Sequence, residues 1–71
     1  MTYKLSAIIE HEDHWYVALC PELGVASQGE TVDAALANLR EAVQLYLETA
    51  DASEVNLPTE PPLLTTLEIG A

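Results

Sequence analysis

Basic residues are the scarcest feature of this chain: Lys4 and Arg40 stand against twelve Asp and Glu in 71 residues, for a formal net charge of −10. Phosphate contacts need clustered Lys and Arg that release counterions, so direct binding to nucleic acid is disfavoured, as is attraction to an anionic membrane surface. The single cysteine, Cys20, cannot close an intramolecular disulfide. That sets aside the disulfide-stapled secreted scaffolds and suits a reducing compartment. There is no uninterrupted apolar run of about 18 residues of the kind that spans a bilayer. Behind Met1-Thr2-Tyr3-Lys4 there is no charged n-region, apolar h-region or small-residue cleavage site, so a cytoplasmic location is expected.

Against those shortages, 49% of the residues are hydrophobic, too many for a disordered chain. The length admits one domain, and a core of that size supplies only about 3–5 kcal/mol. Self-association as a homodimer or higher oligomer is therefore expected. A strongly negative surface steers and holds a basic protein, such as one that itself binds RNA or DNA. The plainer alternative is that surplus carboxylates serve solubility alone.

Alternation from Tyr3 to Glu10 places Tyr3, Leu5, Ala7 and Ile9 on one face and Lys4, Ser6, Ile8 and Glu10 on the other, the pattern of a half-buried strand. Four polar residues, His11-Glu12-Asp13-His14, then read as a hairpin loop before a second strand, Trp15 to Cys20. That strand is apolar on both sides, with Trp15, Val17 and Leu19 pointing one way and Tyr16, Ala18 and Cys20 the other, so it needs cover on both. Pro21-Glu22-Leu23-Gly24 interrupts pairing, and Val25 to Gln28 reads as a short third strand ended by Gly29. Thr31 is a suitable N-cap, with Asp33 in the first turn where a carboxylate complements the helix dipole. Val32, Ala35, Leu36, Leu39, Val43, Tyr46, Leu47 and Ala50 then recur at helical spacing through about five turns. Pro58, Pro61 and Pro62 exclude helix beyond it.

The predicted organisation is thus an α+β core over residues 1–51, a proline-rich linker over 52–62, and a final strand or tail over 63–71. The core is a small antiparallel sheet with one helix packed on one face, in the order β-β-β-α with a possible last β. One helix covers one face of a sheet, so the other is left for another chain.

The stretch Tyr16-Val17-Ala18-Leu19-Cys20-Pro21-Glu22-Leu23-Gly24, followed by Gly29-Glu30-Thr31 and by Ala34-Ala35-Leu36-Ala37-Asn38-Leu39, resembles the HicB-like antitoxin family. In that family a strand ends in a Pro-Glu/Asp-Leu turn, a third strand ends in Gly-Asp/Glu-Thr, and an Ala-rich helix containing Asn follows. The likeness covers roughly Tyr3 to Glu48; each piece alone is weak and the ordered combination is fairly specific. It implies a partial ribonuclease-H-like fold and a protein that neutralises a small basic HicA-type toxin, an mRNA-cleaving ribonuclease. Two departures stand out. Many members continue into a carboxy-terminal DNA-binding domain, whereas this sequence ends at Ala71, so direct transcriptional autoregulation is not expected. Ala34 replaces the acidic residue that often completes the helix cap, at a cost of roughly 1 kcal/mol.

The residues that carry chemistry are few. His11 and His14 beside Glu10, Glu12 and Asp13 offer imidazole and carboxylate ligands, but adjacent polar residues in a short turn rarely converge on one ion, so no metal is expected. A ribonuclease-H-like outline invites catalytic carboxylates holding two metal ions, and only Glu10 and Glu68 are positioned to be considered, so neither catalysis nor any cofactor is expected. Cys20 lacks a neighbouring base and reads as a small packed residue. Tyr46 reads as packing, while Trp15 and Tyr16 must face opposite ways, one towards the helix and one away. The candidate partner-binding residues are Glu10, Glu12, Asp13, Trp15, Tyr16 and Glu22. The leading expectation is an antitoxin-like module that occludes a basic ribonuclease. An interaction domain of the same fold with no toxin partner comes second, and a metal-dependent nuclease third.

Overall fold

The structure, a computed structural model, describes residues 3–49, 60 and 62–70. Three strands, β1 (Ile8–Glu12), β2 (Trp15–Cys20) and β3 (Val25–Gly29), form an antiparallel meander in the order β1-β2-β3, and one helix, α1 (Val32–Thr49), follows. This is the expected α+β arrangement, with the helix on one face of the sheet. No further strand joins it among the described residues: 62–70 is unpaired and exposed throughout. The boundary near residue 51 and nearly all of the proline-rich linker lie outside the described residues, as does Ala50 at the end of the predicted helix.

The first hairpin differs from its sequence reading. A strand over Tyr3–Glu10 with a four-residue loop was the expectation; the strand runs Ile8–Glu12, and only Asp13 and His14 turn the chain. The register, Ile8 opposite Leu19 through Glu12 opposite Trp15, draws polar His11 and Glu12 into the ladder. Ladder bonds are main-chain bonds and tolerate any side chain, and a two-residue turn is admitted because Asp13 takes φ 51°, a left-handed conformation that Asp accepts more readily than most residues. At the other end pairing begins at Ile8 opposite Leu19, near where β2 ends at Cys20 before Pro21, and the Ser6 N–H donates instead to the Glu22 carboxylate (3.0 Å).

Side-chain alternation then sorts the sheet. Ile9 of β1, Tyr16, Ala18 and Cys20 of β2, and Val25 of β3 face α1, where Ala18, Cys20, Ala35 and Leu39 are buried and Leu5, Leu23 and Val43 pack around them. The core is small because three of its four buried side chains are Ala or Cys. α1 starts as its cap residue predicts: the Ala34 N–H donates to Thr31 Oγ1 (3.0 Å) and the Ala35 N–H to the Thr31 carbonyl (2.9 Å). Its first turn lies so close to β3 that a Cβ on Gly29 would fall 2.5 Å from the Ala35 nitrogen. Asn38 Nδ2 donates to the Gln28 carbonyl (2.8 Å), fixing the helix over that strand. Tyr46, expected to pack, is 40% exposed.

Because the atoms crowding Gly29 are helix backbone, they cannot move aside cheaply. Gly29→Ala is expected to destabilise the domain by about 1–3 kcal/mol, as overpacking does, and chemical denaturation should show a lowered midpoint with little change in slope.

Candidate functional site: the open sheet face

The period of two that sends Tyr16, Ala18 and Cys20 towards α1 sends Trp15, Val17 and Leu19 to the opposite face, which no element covers among the described residues. The register completes that face. Ile8 lies opposite Leu19, Glu10 opposite Val17 and Glu12 opposite Trp15, while Ala26 and Gln28 of β3 pair with Leu19 and Val17. The result is an apolar band along β2, widened at one end by Ile8 and Ala26, with Glu10 and Glu12 in file along β1. Trp15 is 43% exposed at one end of the band, and Ile8 and Leu19 are partly exposed at the other. Asp13 adds a carboxylate at the adjoining turn.

Of the six residues singled out as partner contacts, the fold gathers Glu10, Glu12 and Trp15 on this face, with Asp13 next to them. It places the other two elsewhere. Tyr16 is half-buried on the helix side, its ring stacked on His11 (centroids 4.4 Å apart, planes 10° from parallel). Glu22 is turned inward below Pro21, where it accepts the Ser6 N–H and the Cys20 thiol at 3.5 Å. The sequence reading did not single out Ile8, Val17, Leu19 and Ala26, although Val17 and Leu19 carry the same alternation as Trp15, and Ile8 and Ala26 follow once the register is known.

The titratable groups divide between the two faces of the sheet. Alternation sends His11 to the helix side and Glu10 and Glu12 to the open side, and among the described residues no three His, Cys, Asp or Glu side chains converge as metal ligands do. Burial raises the Cys20 thiol above its ordinary pKa, and neighbouring Glu22 adds to that, so the thiol stays protonated at neutral pH. Burial alone would raise Glu22 as well, but the hydrogen bonds it accepts, chiefly from Ser6, prevail and hold its carboxyl below the ordinary value.

A small α+β domain with one helix-covered sheet face and one open, acid-flanked face defines the class. Residues 5–69 match DUF7387, a family of unknown function, and the chain belongs to that family. It is similar to the UPF0150 protein ssr1765 of Synechocystis, 38% identical over 69 residues covering 94% of this chain and 87% of the relative. A UPF0150 protein of Helicobacter pylori is 40% identical over 52 residues, 72% of each chain. A second Synechocystis relative, the UPF0150 protein ssl0738, is 48% identical over 50 residues, covering 68% of this chain and 69% of its own. No solved structure matches. No helix among the described residues is long and apolar enough to cross a membrane.

Glu22 is expected to act through the fold. Glu22→Ala leaves the buried Ser6 N–H without its acceptor and should cost about 1–3 kcal/mol in thermal or denaturant unfolding. Since the native carboxyl is held below its unfolded value, its contribution is complete above the ordinary glutamate range and is lost as pH falls through the native value. Wild-type stability measured from neutral to acid pH should fall in that window, and a Glu22→Gln variant should lose less over the same interval.

Proposed function

We propose that this chain is an antitoxin-like binding module of HicB-like type, and that its open sheet face docks on a small basic ribonuclease and occludes it. The observation that carries this reading is the composition of that face: an apolar band with Trp15 at one end, flanked by Glu10, Glu12 and Asp13. Carboxylates at a rim accelerate encounter with a basic protein and select against acidic ones, while the apolar centre sets how long the complex lasts. An exposed tryptophan amid aliphatic neighbours is the usual anchor of such a contact. The ordered motif from Tyr16 to Leu39 supports the same reading, since its Pro21 turn, Gly29 and Thr31 cap position the face's second and third strands against the helix.

On this reading the chain works in the cytoplasm, without a cofactor or a reaction of its own. Self-association belongs to the proposal too, because a core of this size leaves many large apolar side chains partly in water. An interaction domain of the same fold with another basic partner is the second reading, supported by the charge of the face without the motif.

Co-purification with the product of the adjacent reading frame tests the first reading. Binding should be tight at low salt and weaken as salt rises. Trp15→Ala is expected to cost about 2 kcal/mol or more of affinity, mainly through dissociation. Glu10→Lys with Glu12→Lys should mainly slow association. A neighbour that is not small and basic, or no binding at low salt, removes the toxin reading. Nuclease activity of the purified chain with magnesium or manganese ions would replace it with a catalytic one.

A further inference from the structure

We propose that residues 63–69 of one copy of this chain dock as an extended strand into the groove between segment 3–7 and α1 of a second copy. This rests on the self-association part of the reading above and specifies the surfaces that meet. α1 lies over β3 and β2 rather than over β1. On the β1 side the helix-facing layer is therefore open, and a groove of about 360 Å³ runs there, with Tyr3, Leu5 and Ala7 on one wall and Leu36, Val43 and Arg40 on the other. Tyr3 and Leu36 are left partly exposed along it.

The chain itself carries an occupant of matching character. Residues 62–70 are unpaired, and in an extended segment Leu63, Thr65, Leu67 and Ile69 share one face. In its own protomer the segment comes beside Ala7 and Ile8 through Leu64, Thr65 and Thr66. Yet Leu63, Leu67 and Ile69 remain 93%, 83% and 81% exposed there, so its own sheet is not what buries them.

Charge selects a second copy as the partner. At −10, two copies repel wherever their acidic surfaces meet. The groove is the exception: Arg40, one of only two Lys and Arg residues in the chain, lines it, and no carboxylate does. Segment 62–70 brings a single charge, Glu68. Reciprocal exchange gives a closed two-fold pair in which each copy donates and receives a strand. A basic protein gains nothing at Arg40, and finds its complement on the Glu10 and Glu12 face.

Sedimentation of the full chain across a salt series tests this. The wild type should be dimeric at roughly micromolar concentration, and salt should preserve or strengthen the dimer by screening its net charge, the reverse of its effect on a basic partner. Leu67→Asp with Ile69→Asp should weaken association by at least about tenfold with unchanged circular dichroism. Arg40→Glu should weaken it too, and adding Glu68→Arg to that variant should restore it. Oxidising a mixture of Leu36→Cys chains and Leu67→Cys chains should yield a covalent pair with one of each. A monomeric wild type would overturn both this inference and the self-association on which it rests. An oligomer indifferent to the Leu67 and Ile69 substitutions, or a Leu36→Cys, Leu67→Cys chain that closes on itself as a monomer, would overturn the strand exchange alone.

Discussion

The close seating of α1 against the end of β3 is the constraint on which the rest of the molecule depends. Gly29 carries no Cβ, so the first helical turn approaches the strand to a distance that a side chain would forbid, and Asn38 ties the next turn to the Gln28 carbonyl. With the helix held there, Ala18, Cys20, Ala35 and Leu39 close into a core of small side chains. The same seating decides what is left uncovered. The β1 side of the helix layer opens into a groove, and among the described residues no layer covers the far face of the sheet.

Two surfaces of opposite electrostatic character follow from one geometry. The far face gathers apolar side chains on β2 beside the carboxylates of β1, whereas the groove has Arg40 in its wall. Under the proposals above, a basic ribonuclease takes the first surface and a second copy takes the second, so the two associations need not compete. Their responses to salt run in opposite directions, because one complex attracts across its interface and the other forms against net repulsion.

Much of this was legible in the residues. Helical spacing from Val32 and the Thr31 cap located α1 to within a residue of its start, and Pro21 and Gly24 marked the turn between β2 and β3. The two-sided apolar pattern of β2 foretold a face without cover. What sequence alone left open depended on contacts between distant segments. The start of β1 was set by its register with the end of β2, beyond which the Ser6 N–H turns to Glu22, and its end by an Asp13 conformation that no periodicity reveals. Trp15 and Tyr16 had to face opposite ways, but only the register with Gly29 and Glu12 shows which of them meets the helix. Glu22 looked like a surface carboxylate because its acceptor role involves a residue sixteen positions away.

If one helix and a core of small side chains leave this domain dependent on other chains for the rest of its burial, its stability must be linked to its own concentration. Thermal unfolding followed by circular dichroism over a roughly hundredfold range of protein concentration measures that linkage directly. The midpoint should climb steadily with concentration. A midpoint that stays fixed across the whole range would show a self-sufficient protomer and contradict the account.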